Sequence, residues 1–165
     1  MRPTGWLWTA ALVALGGAAG AEIASVETPS GLARVEGDPA VDGQRLVVGD
    51  AVVVEDPAYT SLWIEAEAGD LLLVGLGFGG TLCAAEFLWL RTTDLATTEP
   101  FGTCADLVTV SHDSETVTVT MATQDAEHPS AAFVWDGQGP VREVLGGQEP
   151  SGSPPEAGAE AWIGR

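Results

Sequence analysis

The cleanest pattern in the chain is the alternation of apolar and polar positions in "DLVTVSHDSETVTVTM". Val108 and Val110 oppose Thr109 and Ser111, while Val117, Val119 and Met121 oppose Thr116, Thr118 and Thr120. A period of two sends each set to its own strand face. The stretch therefore predicts a hairpin with one buried and one wet face, turned by the polar run His112 to Glu115. "RLVVGDAVVVE" places two short apolar runs around Gly49-Asp50, and "SLWIEAEAGDLLLVGLGF" repeats the device at Gly69-Asp70. Glycine first in a two-residue loop is a hairpin signal. "AAFVWDGQGPVREVL" offers another around Asp136 to Gly139. Strands at this spacing, roughly nine to eleven with no helix, predict an all-β domain over residues 22–145, an antiparallel sandwich or barrel built from hairpins.

One stretch breaks the alternation. "LLLVGLGFGGTLCAAEFLWL" contains Gly75, Gly77 and Gly80 at the spacing G-x-G-x-x-G, directly after an apolar run, and Asp94 follows at roughly the distance of a ribose-binding acid. In a dinucleotide-binding fold, such glycines lead into a helix whose N-terminus faces the pyrophosphate. The segment after Gly80 reads as a strand instead. Cys83, Ala85, Phe87 and Trp89 form one apolar set, and Ala84, Leu88 and Leu90, with Glu86, form a second mostly apolar one. Aromatic enrichment decides the ambiguity of a short apolar run in favour of a strand. The glycines then mark a bend, a bulge or a close backbone approach within a sheet. No nucleotide or other cofactor is expected.

The two ends of the chain differ from its middle. "MRPTGWLWTAALVALGGAAGA" combines Arg2, an apolar stretch from Trp6 to Leu15 and a small-residue Ala19-Gly20-Ala21. That is the pattern of a secretory signal peptide over residues 1–21. The stretch is too short and too diluted by Gly and Ala for a stable anchor, and no later apolar run is long enough to insert in a bilayer. The expected location is the periplasm or the medium. From Gly146 onward, Gly and Pro fill 8 of the last 20 positions, a composition that predicts a flexible tail over 146–165. Trp162 and Ile163 stand out in it as large apolar residues. They are expected to dock back on the domain or to serve as a short partner-binding element.

Export changes the reading of the cysteines. Cys83 and Cys104 are the only pair, and an even count in an exported chain favours a disulfide. Two thiols fall short of four zinc ligands, and no C-x-x-C is present. Charge narrows the partners. After Ala21 there are five arginines against 24 carboxylates, a net charge of −19. That balance repels nucleic acid and anionic membranes and favours solubility or a basic partner. The chain has no Lys and no Asn, which points to GC-rich coding of the bacterial kind and removes N-glycosylation acceptors.

Candidate chemistry is sparse. His112-Asp113-Ser114 holds three triad residue types, but consecutive residues cannot converge as a triad, and their types suit a turn. His112 and His128 have no ligand-like partner at short spacing, and no D-x-D-x-D-G calcium loop exists, so no metal site is expected. Glu55-Asp56 and Glu65 with Glu67 are acid pairs of the sort that arise readily in so acidic a chain; Glu65 and Glu67 are expected to share the wet face of a strand. Trp63, Trp89 and Trp135 read as core anchors.

The cysteines lie in "GGTLCAAEF" and "FGTCADL". These stretches resemble secreted proteins of proteobacteria in which Gly-Gly-x-x-Cys and Phe-Gly-x-Cys-x-Asp carry the two cysteines. The resemblance covers residues 79–107 and implies a secreted β-rich domain, with Cys83 paired to Cys104 and structural roles for Gly79, Gly80, Phe101 and Gly102. It implies no particular activity. Small acidic β-proteins that inhibit lysozyme share the physical character, but their Ser-Gly-x-x-Tyr signature is absent. The expected function is that of an exported, noncatalytic protein binding a cationic protein or envelope component. The alternative is an envelope hydrolase whose carboxylate and histidine groups are gathered only by the fold.

Overall fold

The computed structural model describes residues 24–40, 43–80, 82–146 and 161–162. The expected signal peptide lies outside the described residues, as do Ile163 and most of the expected tail. Every described element is a strand, and every pairing is antiparallel. Strands β1 (Ser25–Thr28), β2 (Gly31–Glu36), β3 (Arg45–Val48) and β4 (Ala51–Glu55) form one sheet in chain order. Strands β5 (Ser61–Ala68), β6 (Leu71–Gly77), β7 (Ala85–Arg91) and β8 (Ala96–Thr97) form a second. The third sheet comprises β9 (Val108–His112), β10 (Val117–Ala122), β11 (Ser130–Trp135), β12 (Arg142–Leu145) and β13 (Ala161–Trp162), in the order β12-β11-β10-β9-β13.

The second sheet lies between the other two. Leu62, Ile64, Leu72, Val74, Leu76, Leu88 and Leu90 pack against Val26, Ala33, Leu46, Val48 and Val54 of the first sheet. From the opposite face, Leu73, Ala85, Phe87 and Trp89 pack against Val108, Val110, Val117, Val119, Met121, Ala131, Phe133 and Trp135 of the third. A sheet covered on both sides needs apolar residues at successive positions, which is why β6 and β7 lack the alternation of β9 and β10. The sandwich thus has three layers and two cores. Trp89 is fully buried in one of them, with an indole N–H that meets no acceptor.

The predicted hairpins form where the turn chemistry places them. Gly49 and Gly69 adopt φ of +59° and +65°, the left-handed values that a two-residue loop with glycine first requires. The β9–β10 turn is displaced by one residue from the expected run, because His112 pairs with Val117 and completes β9. The β1–β2 hairpin and the short β8 carry no comparable pattern. In β1, Ser25 and Glu27 are exposed and only Val26 is buried, too few apolar positions to reveal a period.

The glycine-rich stretch is sheet, not a phosphate loop. Gly75 and Gly77 lie within β6, and the chain continues through a turn into β7. Trp63 pairs with Gly75 across the β5–β6 ladder. Its indole occupies the space a side chain would need, since a Cβ on Gly75 would lie 2.1 Å from Trp63 Cε2. A register shift between Ile64 and Ala66 corrects one expectation. Glu65 is the extra residue there, and its Oε2 accepts from Trp63 Nε1 at 2.7 Å. The shift turns Ala66 and Ala68 towards the core shared with the third sheet, so Glu65 and Glu67 do not share a face.

Cys83 and Cys104 form a disulfide with a Cα–Cα distance of 4.6 Å. It joins the β6–β7 connection to the segment after β8. Around it, Phe101 bridges to Phe87 through both backbone hydrogen bonds and lies 5.2 Å from the Phe133 ring. Gly79 abuts Thr60 and Gly102 backs onto Glu86 and Met121, whereas Gly80 faces open space. Three of the four residues given structural roles by the resemblance therefore have close partners.

Candidate functional site

Three hairpin turns meet at one end of the sandwich. They are the β5–β6 turn at Gly69-Asp70, the β9–β10 turn from Asp113 to Thr116, and the chain leaving β11 through Trp135, Asp136 and Gly137. Between them lies an open groove of about 260 Å³, below the usual range of about 300–1,000 Å³ for enclosed small-molecule pockets. Its lining brings together Asp70, Asp113, Glu115 and Asp136 with His112 and Ser114. No stretch of sequence unites these carboxylates. Each hairpin puts an acid in its turn because aspartate closes turns well, and stacking the sheets then aligns the turns.

Two of the four carboxylates, those of Asp113 and Asp136, are engaged with their own turns. Asp113 Oδ1 accepts from the amides of Glu115 at 2.8 Å and Thr116 at 2.7 Å, and Oδ2 accepts from Thr116 Oγ1 at 3.1 Å. These amides, that of Glu115 first, hold the Asp113 carboxyl below its ordinary range. Asp136 Oδ1 accepts from Gln138 N at 3.0 Å, and the backbone carbonyl of Asp70 accepts from Thr92 N at 2.7 Å. Arg91 reaches the rim, donating from Nη1 to Gly137 O at 3.0 Å, with its guanidinium 6.0 Å from the Trp135 ring centroid. Its Nε donates to Asp94 at 3.0 Å.

Chemically, the Asp113 turn favours the charged carboxylate. A general acid near neutral pH requires a carboxyl pushed upward. Asp113 moves the other way through its turn, and so, away from the groove, do Glu36 through Arg34 and Arg45, Asp94 through the Ala96 amide and Arg91, and Asp125 through His128. Tyr59 is raised, by burial and then by the charges of Glu86, Asp56 and Glu99. The histidines are separated as well. His112 lines the groove, while His128 Nδ1 lies 3.0 Å from Asp125 Oδ2 in the β10–β11 loop. Among the described residues, no group of three or more His, Cys, Asp or Glu is placed to hold a metal ion.

Two other hollows are lined differently. One, of about 610 Å³, lies among Glu36, Arg45, Glu55 and Asp56, where Arg34 and Arg45 both contact the Glu36 carboxylate. The expected Glu55-Asp56 acid pair falls here. The other, of about 520 Å³, is mostly apolar and borders Leu107, Thr120 and Pro129.

Of the two tail residues singled out for partner binding, Trp162 is in β13, in register with Val110 of β9, and Ile163 lies outside the described residues. Sequence reasoning identified His112 and Asp113 as a turn but missed their company with Asp70 and Asp136. The aspartate in each of these turns was the available signal. No helix among the described residues is long and apolar enough to cross a membrane. Comparisons with protein-family descriptions, curated proteins and solved structures find no match.

Proposed function

We propose that this chain is an exported, noncatalytic binding module whose partner is a basic protein or a cationic envelope component. The observation that carries this reading is the gathering of Asp70, Asp113, Glu115 and Asp136 around one open groove, on a chain with a net charge of −19 after the expected signal peptide. Such a field steers cations over a Debye length of about 8–10 Å and raises the association rate more than the affinity. The amino-terminal pattern and the Cys83–Cys104 disulfide support export to an oxidising compartment. Titration with oligo-arginine tests the reading. Binding should weaken steeply between low and about 0.5 M salt and fall when Asp70 and Asp136 are both changed to Asn. Equal binding at both salts, or binding untouched by that double substitution, overturns it.

The presence of His112 among these acids favours a second reading, an envelope hydrolase working from the same groove. It requires hydrolysis of an envelope polymer that His112→Ala abolishes while oligo-arginine binding persists. Unchanged hydrolysis in that variant removes it.

A further inference from the structure

The edge of β9 that faces away from β10 lies beside the acidic groove, and the described part of the chain's own tail is seated on it. Asp113 N donates to Thr116 O at 2.9 Å at the head of the β9–β10 hairpin. In an antiparallel ladder, hydrogen-bonded and non-hydrogen-bonded pairs alternate from that point. Ser111 with Thr118, and Thr109 with Thr120, are therefore bonded pairs. Val108, Val110 and His112 turn their backbone N–H and C=O groups away from β10, towards the sheet edge. Among the described residues, β13 covers only two positions of this edge, with Ala161 opposite Ser111 and Trp162 opposite Val110. Backbone groups turned away from a ladder in this way are a template on which an extended chain can pair.

Direction and charge define what fits. β13 runs antiparallel to β9, so a strand in this position enters at the His112 end, next to Asp113 and Glu115, and leaves towards Val108. Basic residues just before the pairing segment would meet those carboxylates and the neighbouring Asp70 and Asp136 of the groove. The resident strand is short in its described extent. As part of the same chain, it competes with a free peptide at an effective concentration of about the millimolar range.

We propose that the β9 edge is an acceptor for an extended peptide carrying basic residues before its pairing segment, with Ala161–Trp162 as a displaceable occupant. This deepens the binding reading above and rests on it. The partner chemistry is a basic protein segment that adds one strand to the third sheet by main-chain hydrogen bonds. Alternating small and apolar side chains would match the alternation of β9.

The test uses the full chain and amide exchange at Val110, whose N–H faces β13, with Thr109 and Ser111, which face β10, as internal controls. Trp162→Pro removes a strand N–H from the resident. It should accelerate Val110 exchange at least about tenfold and leave both controls unchanged. A peptide with arginines before alternating valine and threonine should restore the protection, binding this variant about tenfold more tightly than the native chain. Unchanged Val110 exchange in Trp162→Pro overturns the resident strand. Equal binding of a peptide with its arginines placed after the paired segment overturns the direction. If oligo-arginine binds with steep salt dependence while the arginine–valine–threonine peptide leaves Val110 unprotected, the edge acceptor falls and the acidic-groove reading stands. If neither ligand binds, both fall.

Discussion

β6 and β10 are both inner strands of their sheets, with neighbours on each side, yet they read as different kinds of sequence. β6 is LLLVGLG, buried at six of its seven positions, and β10 is VTVTMA, buried only at Val117, Val119 and Met121. The hydrogen-bonding environments are alike, so the contrast comes from what lies above and below each sheet. β6 has a core on both faces, whereas one face of β10 carries Thr118 and Thr120 outside any core. Alternation reports a wet face, and its loss reports a layer on each side.

The largest expected effect comes from the central layer. Trp89→Ala should cost about 3–5 kcal/mol through lost burial and the cavity left behind, while Thr120→Ala on the wet face of β10 should stay within about 0.5 kcal/mol. Urea unfolding of the two variants measures both. Similar losses would mean that the central sheet is no more critical than the outer one.

The disulfide comes next. Replacing Cys83 and Cys104 with Ser removes a cross-link between positions 21 residues apart, worth about 3 kcal/mol in the chain-entropy account. The cross-link lies at the border of the core shared by the second and third sheets. A full-sized loss with unchanged near-ultraviolet dichroism would indicate an effect on the unfolded chain rather than on the packing.

A smaller effect is expected where β6 departs from bulky residues. Gly75→Ala places a methyl group where the Trp63 indole lies and should cost about 1–3 kcal/mol, as overpacking commonly does. In a Trp63→Ala background, the same substitution should cost little. A double-mutant cycle checks this, and additivity of the two changes would show that the indole is not what keeps position 75 small.

The smallest effect belongs to the turn of the outer hairpin. The folded pKa of Asp113 is lowered by the Glu115 and Thr116 amides, so its contribution is present above the unfolded value of about 3.9 and lost as pH falls through the folded one. Asp113 is solvent-exposed. Asp113→Asn should therefore lower stability by less than about 1 kcal/mol at neutral pH. The gap between the two proteins should close as the pH drops below about 4. A gap that widens in acid would reverse the assigned direction.

Local pattern was enough to place most strands, because hairpin turns and side-chain periodicity are written within a few neighbouring residues. Gly49-Asp50, Gly69-Asp70 and the valine–threonine alternation specify their hairpins without reference to the rest of the chain. The same stretch from 71 to 90 could be recognised as strand despite its glycine spacing, since its aromatic residues leave no polar helix face. The pairing of Cys83 with Cys104 needed only the count and the pattern of export.

Three features were decided by the tertiary structure. The number of layers depends on which faces meet, and a continuous apolar run does not name its two partners. The bulge at Glu65 reverses the facing of the rest of β5, which period alone cannot register because a one-residue shift inverts every later side chain. The acidic groove joins Asp70, Asp113 and Asp136 from separate turns. Each aspartate was legible as a turn residue, but its neighbours were set by the stacking of whole sheets, a long-range consequence of burying two apolar faces of one sheet at once.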